Sequence, residues 1–182
     1  MKTKIGQRPL NLAIVSAMVF GTVALTVPAY ATDTAANLTV SADIIPSCTI
    51  NTTDLNFGAY DAIIANATQD LTTSAEVSTI CTLGATGVVT MGQGEHVFYC
   101  INNNCIRRMA NPEETSHLTY QIYTDAGYSV VWNHNTGDMS SVANVTGSGA
   151  SQNLTVYGKV SKNQKYAAAG IYTDTVNITL TY

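Results

Sequence analysis

The stretch Ala36-Asn37-Leu38-Thr39-Val40-Ser41-Ala42-Asp43-Ile44 carries an apolar side chain at every second position. Successive side chains on a strand point to opposite faces, so this is the pattern of a strand with one face to bury. The same period returns at Leu118-Thr119-Tyr120-Gln121-Ile122, at Asn153-Leu154-Thr155-Val156 and at Val176-Asn177-Ile178-Thr179-Leu180-Thr181-Tyr182. Turn signals lie between the runs: Asp125-Ala126-Gly127, Asn135-Thr136-Gly137-Asp138 and Gly147-Ser148-Gly149. The segment from Ser140 to Ser151 is small and polar and reads as a loop. No stretch holds a helical period over three turns. Many short strands with Gly/Asn turns predict an all-β sandwich in a single domain, with no second domain and no clear repeat. The two ends are distinctive. Pro46 lacks the N–H a ladder needs and separates the first run from the rest of the chain. That run, thirteen residues from Thr32 to Ile44, extends about 40 Å when fully stretched. The last run reaches the final residue of the sequence.

The 182 residues are only 11% charged, against about 25% in an ordinary soluble domain. The formal charge is −4, and there are ten tyrosines. Such a composition argues against a basic nucleic-acid binder, a coiled coil and a charge-rich disordered tail. Lys2, Lys4 and Arg8 are followed by an uncharged, mostly apolar run from Leu10 to Val27 and by Ala29-Tyr30-Ala31. This is the layout of a secretory signal peptide over residues 1–31, removed after Ala31. A retained anchor is the competing reading, but the run before Pro28 is at the short end for a span. No later segment is long and apolar enough to cross a bilayer. Removal of the leader leaves five basic residues against twelve acids, which gives the remaining chain no general attraction to nucleic acid or anionic lipid.

Four cysteines in an exported chain predict disulfides, with three pairings possible. Cys100 and Cys105 bracket a short loop that a local bridge can close, which leaves Cys48 with Cys81. A loop of the latter length stabilises by roughly 3–4 kcal/mol on the chain-entropy model. Chemistry is otherwise sparse. There is no nucleophile elbow, zinc-protease helix, phosphate loop or dinucleotide fingerprint. His96, His117 and His134 lack metal-ligand spacing, and no C-x-x-C pair occurs. No enzyme activity, metal or cofactor is therefore expected. Glu113-Glu114 reads as a solvated loop and Arg107-Arg108 as a surface pair beside a strand, or else a reader of an acidic partner. Trp132 with Tyr128 is a candidate sugar-stacking platform, although a tryptophan in a sandwich more simply fills the core. Six Asn-x-Thr triplets, starting at Asn37, Asn51, Asn66, Asn144, Asn153 and Asn177, reflect a Thr-rich strand composition.

Several separated motifs resemble the spore coat protein U family. They are Ser47-Cys48-Thr49-Ile50, Leu55-Asn56-Phe57-Gly58-Ala59-Tyr60-Asp61, Cys81-Thr82, Arg107-Arg108-Met109 and Leu118 to Asp125. Trp132, Leu154 to Val160 and Gly170 to Val176, closing on Tyr182, complete the resemblance, in order and over nearly all of the exported chain. That family includes subunits of archaic (Csu-type) chaperone–usher pili. The resemblance implies an incomplete immunoglobulin-like β-sandwich, completed by donor-strand exchange, over residues 46–182. It implies that residues 32–45 are a donor segment whose Ala36, Leu38, Val40, Ala42 and Ile44 enter a neighbour's groove. It implies that Val176, Ile178, Leu180 and Tyr182 border this subunit's own groove, with a chaperone pairing along that strand and anchoring the terminal carboxylate at Tyr182. A Cys48–Cys81 link resembles the family's bridge between neighbouring strands, whereas Cys100 and Cys105 depart from the pattern. The implied partners are a periplasmic pilus chaperone, an outer-membrane usher and further subunits in a head-to-tail polymer. The implied location is a cell-surface pilus reached through the periplasm, and the implied role is that of a shaft or adaptor subunit supporting adhesion and biofilm growth. The alternatives are a free-standing secreted carbohydrate-binding sandwich and a spore-coat protein.

Overall fold

The computed structural model describes residues 31–101, 104–133 and 141–182. The leader expected at residues 1–31 lies, except for Ala31, outside the described residues, as do His134 and the turn at residues 135–138. The chain divides into two units, Met1–Ser41 and Ala42–Tyr182. Of the first, residues 31–41 are described; they belong to no helix or strand and are exposed. The alternation at residues 36–44 thus specifies a one-faced strand without placing it in a ladder here. A strand forms only where a second edge offers partners for its N–H and C=O groups.

Within Ala42–Tyr182 the described residues form nine strands and one helical turn. These are β1 (Cys48–Thr52), α1 (Ala65–Thr68), β2 (Leu71–Cys81), β3 (Thr86–Met91), β4 (Val97–Ile101), β5 (Asn104–Ala110), β6 (His117–Tyr123), β7 (Ala143–Thr146), β8 (Ser151–Val160) and β9 (Ile178–Thr181). They build two antiparallel sheets, of order β1-β2-β8-β6-β5-β4 and β7-β3-β9. The expected β-sandwich is therefore what the chain forms. One local expectation is corrected: the segment from Ser140 to Ser151 is not a plain loop, because β7 lies inside it and pairs with β3.

The long strands show why these residues choose this fold. Along β2, Ala75, Val77, Thr79 and Cys81 are buried, while Thr72, Ser74, Glu76 and Ile80 on the opposite face are exposed. β8 pairs with β2 over ten residues, from Leu71 opposite Val160 to Ile80 opposite Ser151, which brings Val156 onto the same inner face. Val77, Val156 and Val160 from the large sheet meet Val89 and Met91 of β3 and the indole of Trp132. Fully burying side chains of this size contributes about 1.5–3 kcal/mol each. Cys48 lies opposite Cys81 in the β1–β2 register and is disulfide-bonded to it. Cys100 and Cys105 face each other across the β4–β5 hairpin and form the second bridge.

Polar ties also cross between the sheets. Trp132 is 1% exposed; its indole N–H donates to the Val89 carbonyl at 3.0 Å, and its backbone N–H donates to Ile122 of β6 at 2.9 Å. Arg107 of β5 is 2% exposed, so the surface pair expected from Arg107-Arg108 is corrected. Strand alternation turns Arg107 inward, and it donates to the carbonyls of Gly92 at 2.9 Å, Trp132 at 2.8 Å and Met91 at 3.3 Å, and to Gln121 Oε1. Burial pushes its guanidinium below the ordinary value, with the nearby Tyr120 and Asp174 opposing that shift. Arg108 faces the other way, its guanidinium 5.0 Å from the centre of the exposed Phe98 ring.

Urea unfolding should show two effects. Arg107→Met should destabilise by about 2–4 kcal/mol, because two or three buried carbonyls lose their donor; Arg107→Lys should not rescue it, since an ammonium cannot reproduce the planar fork. The double change Cys48→Ala/Cys81→Ala should lower stability by about 2–5 kcal/mol with little change in the far-ultraviolet spectrum.

Candidate functional site

Between the two sheets the sandwich does not close. A groove of about 1240 Å³ runs along the inner face of the large sheet. Its depth reaches Val77, Met91 and Val160, which are shielded from solvent. Leu55, Phe57, Leu71, Met109, Val176 and Ile178 line it as half-buried side chains packed on the core. Small-molecule pockets typically measure about 300–1,000 Å³ and converge a few polar groups on the ligand. This groove is larger and is lined largely by carbon.

Its first side is the segment from Thr53 to Asp61. Tyr60 anchors it by donating its hydroxyl to the Ser161 carbonyl at 2.8 Å. Leu55 and Phe57 lie directly over Gly158 of β8, where an added Cβ would stand 2.7 Å from Leu55 and 2.8 Å from Phe57. The missing side chain at Gly158 is what lets this side sit so close to the sheet. The turn into α1 is held by Asp61, whose Oδ1 accepts from the backbone N–H groups of Ile63 at 3.0 Å and Ile64 at 2.9 Å. Those two bonds hold the Asp61 carboxyl below its usual range.

The second side is the segment from 165 to 178. Thr173 and Ala110 exchange backbone hydrogen bonds at 2.9 Å in both directions, and the Gly92 N–H donates to Asn177 at 2.7 Å. The carboxylate of Asp174, only 2% exposed, accepts from the backbone N–H groups of Glu95 at 2.9 Å and Thr175 at 3.0 Å. It also accepts from the hydroxyl of Tyr120 at 2.6 Å. Tyr120 lines the groove from β6, and burial, followed by this bond to Asp174, pushes its phenol far above the ordinary value. β9 continues this side. In the order β7-β3-β9 it pairs with β3 alone, so its other edge has no ladder partner among the described residues.

The structure places each residue singled out in the sequence. Ala36, Leu38, Val40, Ala42 and Ile44 are exposed, with Leu38, Val40 and Ile44 at 87%, 84% and 85%. Val176 and Ile178 line the groove and Leu180 is half-buried against the core, while Tyr182 is exposed and lines a smaller cleft with Val88 and Asn144. The sugar platform of Trp132 with Tyr128 does not form, because Trp132 is enclosed in the core. Tyr128 instead packs edge-on against Tyr123 and Tyr157, with ring centres 5.5 and 6.4 Å away. Glu113 and Glu114 lie exposed in the β5–β6 turn. Missed in the sequence were the buried Asp174 and its partner Tyr120, whose pairing spans 54 positions and leaves no local signal. Also missed was the approach of His96 to His117, whose ring centres lie 6.4 Å apart.

Comparison with known proteins agrees with this architecture. The model of the Spore Coat Protein U domain family matches residues 16–179. "Protein U" of Myxococcus xanthus is 32% identical over 164 residues, covering 85% of this chain and 88% of that protein. In three dimensions the chain is similar to a chain in the crystal structure of the CsuC–CsuE chaperone–tip adhesion subunit pre-assembly complex, from the archaic chaperone–usher Csu pili of Acinetobacter baumannii. That likeness has a TM-score of 0.51 at 18% identity and covers 76% of this chain but only 40% of the other, so it speaks to the fold. With the family match spanning both sides of the groove and the strands beneath it, this chain belongs to the Spore Coat Protein U domain family.

Proposed function

We propose that this chain is a structural subunit, shaft or adaptor, of an archaic chaperone–usher surface fibre that polymerises by donor-strand exchange. The observation that carries the reading is the carbon-lined groove beside the unpaired edge of β9. A complete sandwich would have a strand there, and a strand supplied from outside satisfies both the open edge and the apolar floor. In this recognition mode main-chain hydrogen bonds give affinity and alternate side chains give specificity. On this reading a periplasmic chaperone occupies the groove first. At an outer-membrane usher, residues 32–45 of the next subunit then replace it, and the finished fibre supports adhesion and biofilm growth at the cell surface. The fold shared with a chain of a chaperone–subunit complex supports the chaperone as a partner. In the same reading Val176, Ile178 and Leu180 form the groove's edge, and a chaperone paired along that strand would reach Tyr182.

The donor segment fits this role physically. Burying Leu38, Val40 and Ile44 contributes roughly 1.5–3 kcal/mol each before costs. Ordering the backbone costs about 1–2 kcal/mol per residue, which offsets much of that gain. Register is better protected than affinity, because a slip of one residue would drive Asn37, Thr39, Ser41 and Asp43 into the groove. A spore-coat role is the second reading, and it rests on the family's description. A free-standing carbohydrate module has lost its platform with the burial of Trp132.

A complementation melt tests the proposal. The domain lacking residues 32–45 should show a large rise in Tm with a synthetic Thr32–Ile44 peptide. A peptide carrying Leu38→Asp and Val40→Asp should have little effect. A truncated domain that is stable alone and indifferent to both peptides would sink the donor-strand reading. In the complemented domain, Gly158→Val should weaken peptide uptake, because the new side chain displaces Leu55 and Phe57 from the groove's side.

A further inference from the structure

The two ends of the sandwich each hold large apolar side chains out in solvent. At one end, Leu83 sits in the tight turn between β2 and β3, which is closed by the Ala85 N–H donating to the Thr82 carbonyl at 2.9 Å. Gly84 follows it at a φ of 80°, the left-handed position that such a turn requires. Gly84 meets that demand alone. Nothing in the turn calls for a leucine, yet Leu83 is there and 78% exposed. At the other end, Ile63 and Ile64 are 74% and 78% exposed in the turn that Asp61 holds ahead of α1, and Ile171 is 77% exposed. Turns ordinarily carry Gly, Pro, Asn, Asp or Ser.

The ladders fix where these groups lie. α1 leads into β2 at Leu71, and Leu83 follows its last residue, Cys81. The two turns are therefore separated by the length of β2, about 33 Å for eleven residues. Val160 of β8 lies opposite both Leu71 of β2 and Tyr120 of β6, which sets the β5–β6 turn at the α1 end. The Ala168 N–H donates to Ser116 Oγ in that turn at 2.9 Å and so holds the segment carrying Ile171 there as well. Ile63 and Ile171 both line the groove, so they mark its mouth at this end. The opposite end is where the chain enters the sandwich. There the Thr82 N–H donates to the Ser47 carbonyl at 2.9 Å, which puts Leu83 beside the start of β1.

An incoming donor strand brings one end against the other. All the ladders between the strands are antiparallel. β9 runs toward the Leu83 end, because Ile178 lies opposite Met91 and Thr181 opposite Val88. A strand laid antiparallel on its free edge therefore finishes at the end that carries Ile63 and Ile171. For residues 32–44 of a second copy the finishing residue is Ile44, and only Ile45, Pro46 and Ser47 separate it from β1. Four residue steps span at most about 14 Å. The body of the second copy is thus held at the groove's mouth, entry end first, and that end carries Leu83.

Resting on the donor-strand reading above, we propose that the Leu83 turn of each subunit docks on Ile63, Ile64 and Ile171 of the subunit that receives its donor segment. So few side chains do not hold two free chains together. The short tether changes this, because it makes docking intramolecular, with an effective concentration in the millimolar range. The contact would seal the mouth of the groove and fix the angle between successive subunits.

Photo-crosslinking of the assembled full chain tests the contact. One preparation carries benzoylphenylalanine, itself apolar, in place of Leu83. A second carries it in place of Thr39, on the donor face turned out of the groove. The Leu83 probe should form adducts between copies with residues 62–64 or 166–171, identified by mass spectrometry. Adding Ile63→Asp and Ile64→Asp, both at exposed positions, should lower that yield at least about threefold, since a few apolar anchors carry most of such a contact. The Thr39 probe should form adducts with the groove's sides, at residues 53–61 or 173–180, in both backgrounds. Thr39 adducts in the groove, with Leu83 adducts absent, placed elsewhere or indifferent to the aspartates, would overturn this contact and leave the donor-strand reading standing. Loss of the Thr39 adducts as well would overturn both.

Discussion

A buried guanidinium and an indole join two sheets whose apolar faces do not fully close on each other. Arg107 reaches from β5 to the carbonyls at the end of β3, and Trp132 donates to β3 while its backbone bonds to β6. The groove lies between those same sheets, so hydrophobic packing alone has less area there to hold them. Hydrogen bonds to a charged donor are worth more than neutral ones, about 1.5–3 kcal/mol each. They are also directional, and so fix the spacing of the sheets as well as their attraction. The groove keeps its width because the ties beside it are polar and stiff.

The sides of the groove obey the same logic. Each is a segment outside the regular ladders, and each is held by polar anchors: Tyr60 and Asp61 on one side, Thr173 and Asp174 on the other. The anchors spend their polar atoms away from the groove and leave it lined with Leu55, Phe57, Val176 and Ile178. Tyr120 does both tasks at once, its ring in the groove and its hydroxyl on Asp174.

How much of this is legible in the sequence depends on whether the signal is local. β6 and β8 show in their alternation because each has one face in the core and one outside, and that contrast is written at every second residue. β7 stays hidden because it is four residues long and buries only Val145, so its existence comes from pairing with β3. Arg107 departs from expectation because a basic doublet suggests solvent; the inward run Cys105, Arg107 and Met109, alternating with Ile106 and Arg108, is the signal available to correct it. The motifs of the family resemblance are legible for a structural reason. Leu55 to Asp61 and Gly170 to Val176 are the two sides of the groove, where close contact restricts the choice of side chain. Asp174 sits inside one of these motifs, but its partners at Glu95, His96 and Tyr120 are far along the chain, and only the fold brings them together.

The Cys48–Cys81 bridge has a mechanical meaning beyond its effect on the unfolded state. It lies at the first residue of β1, two positions after Pro46. A pull through residues 32–46 therefore meets only the Ser47–Thr82 hydrogen bonds before it meets a covalent bond, and that bond precedes the β1–β2 ladder. The load passes at once to the end of β2, whose ten-residue register with β8 runs along the middle of the large sheet. Peeling β1 away one hydrogen bond at a time, the easy way to open a sheet from its edge, is closed to such a pull. Such a pull is instead handed to β2, the longest strand, and shared with β8 along their common register.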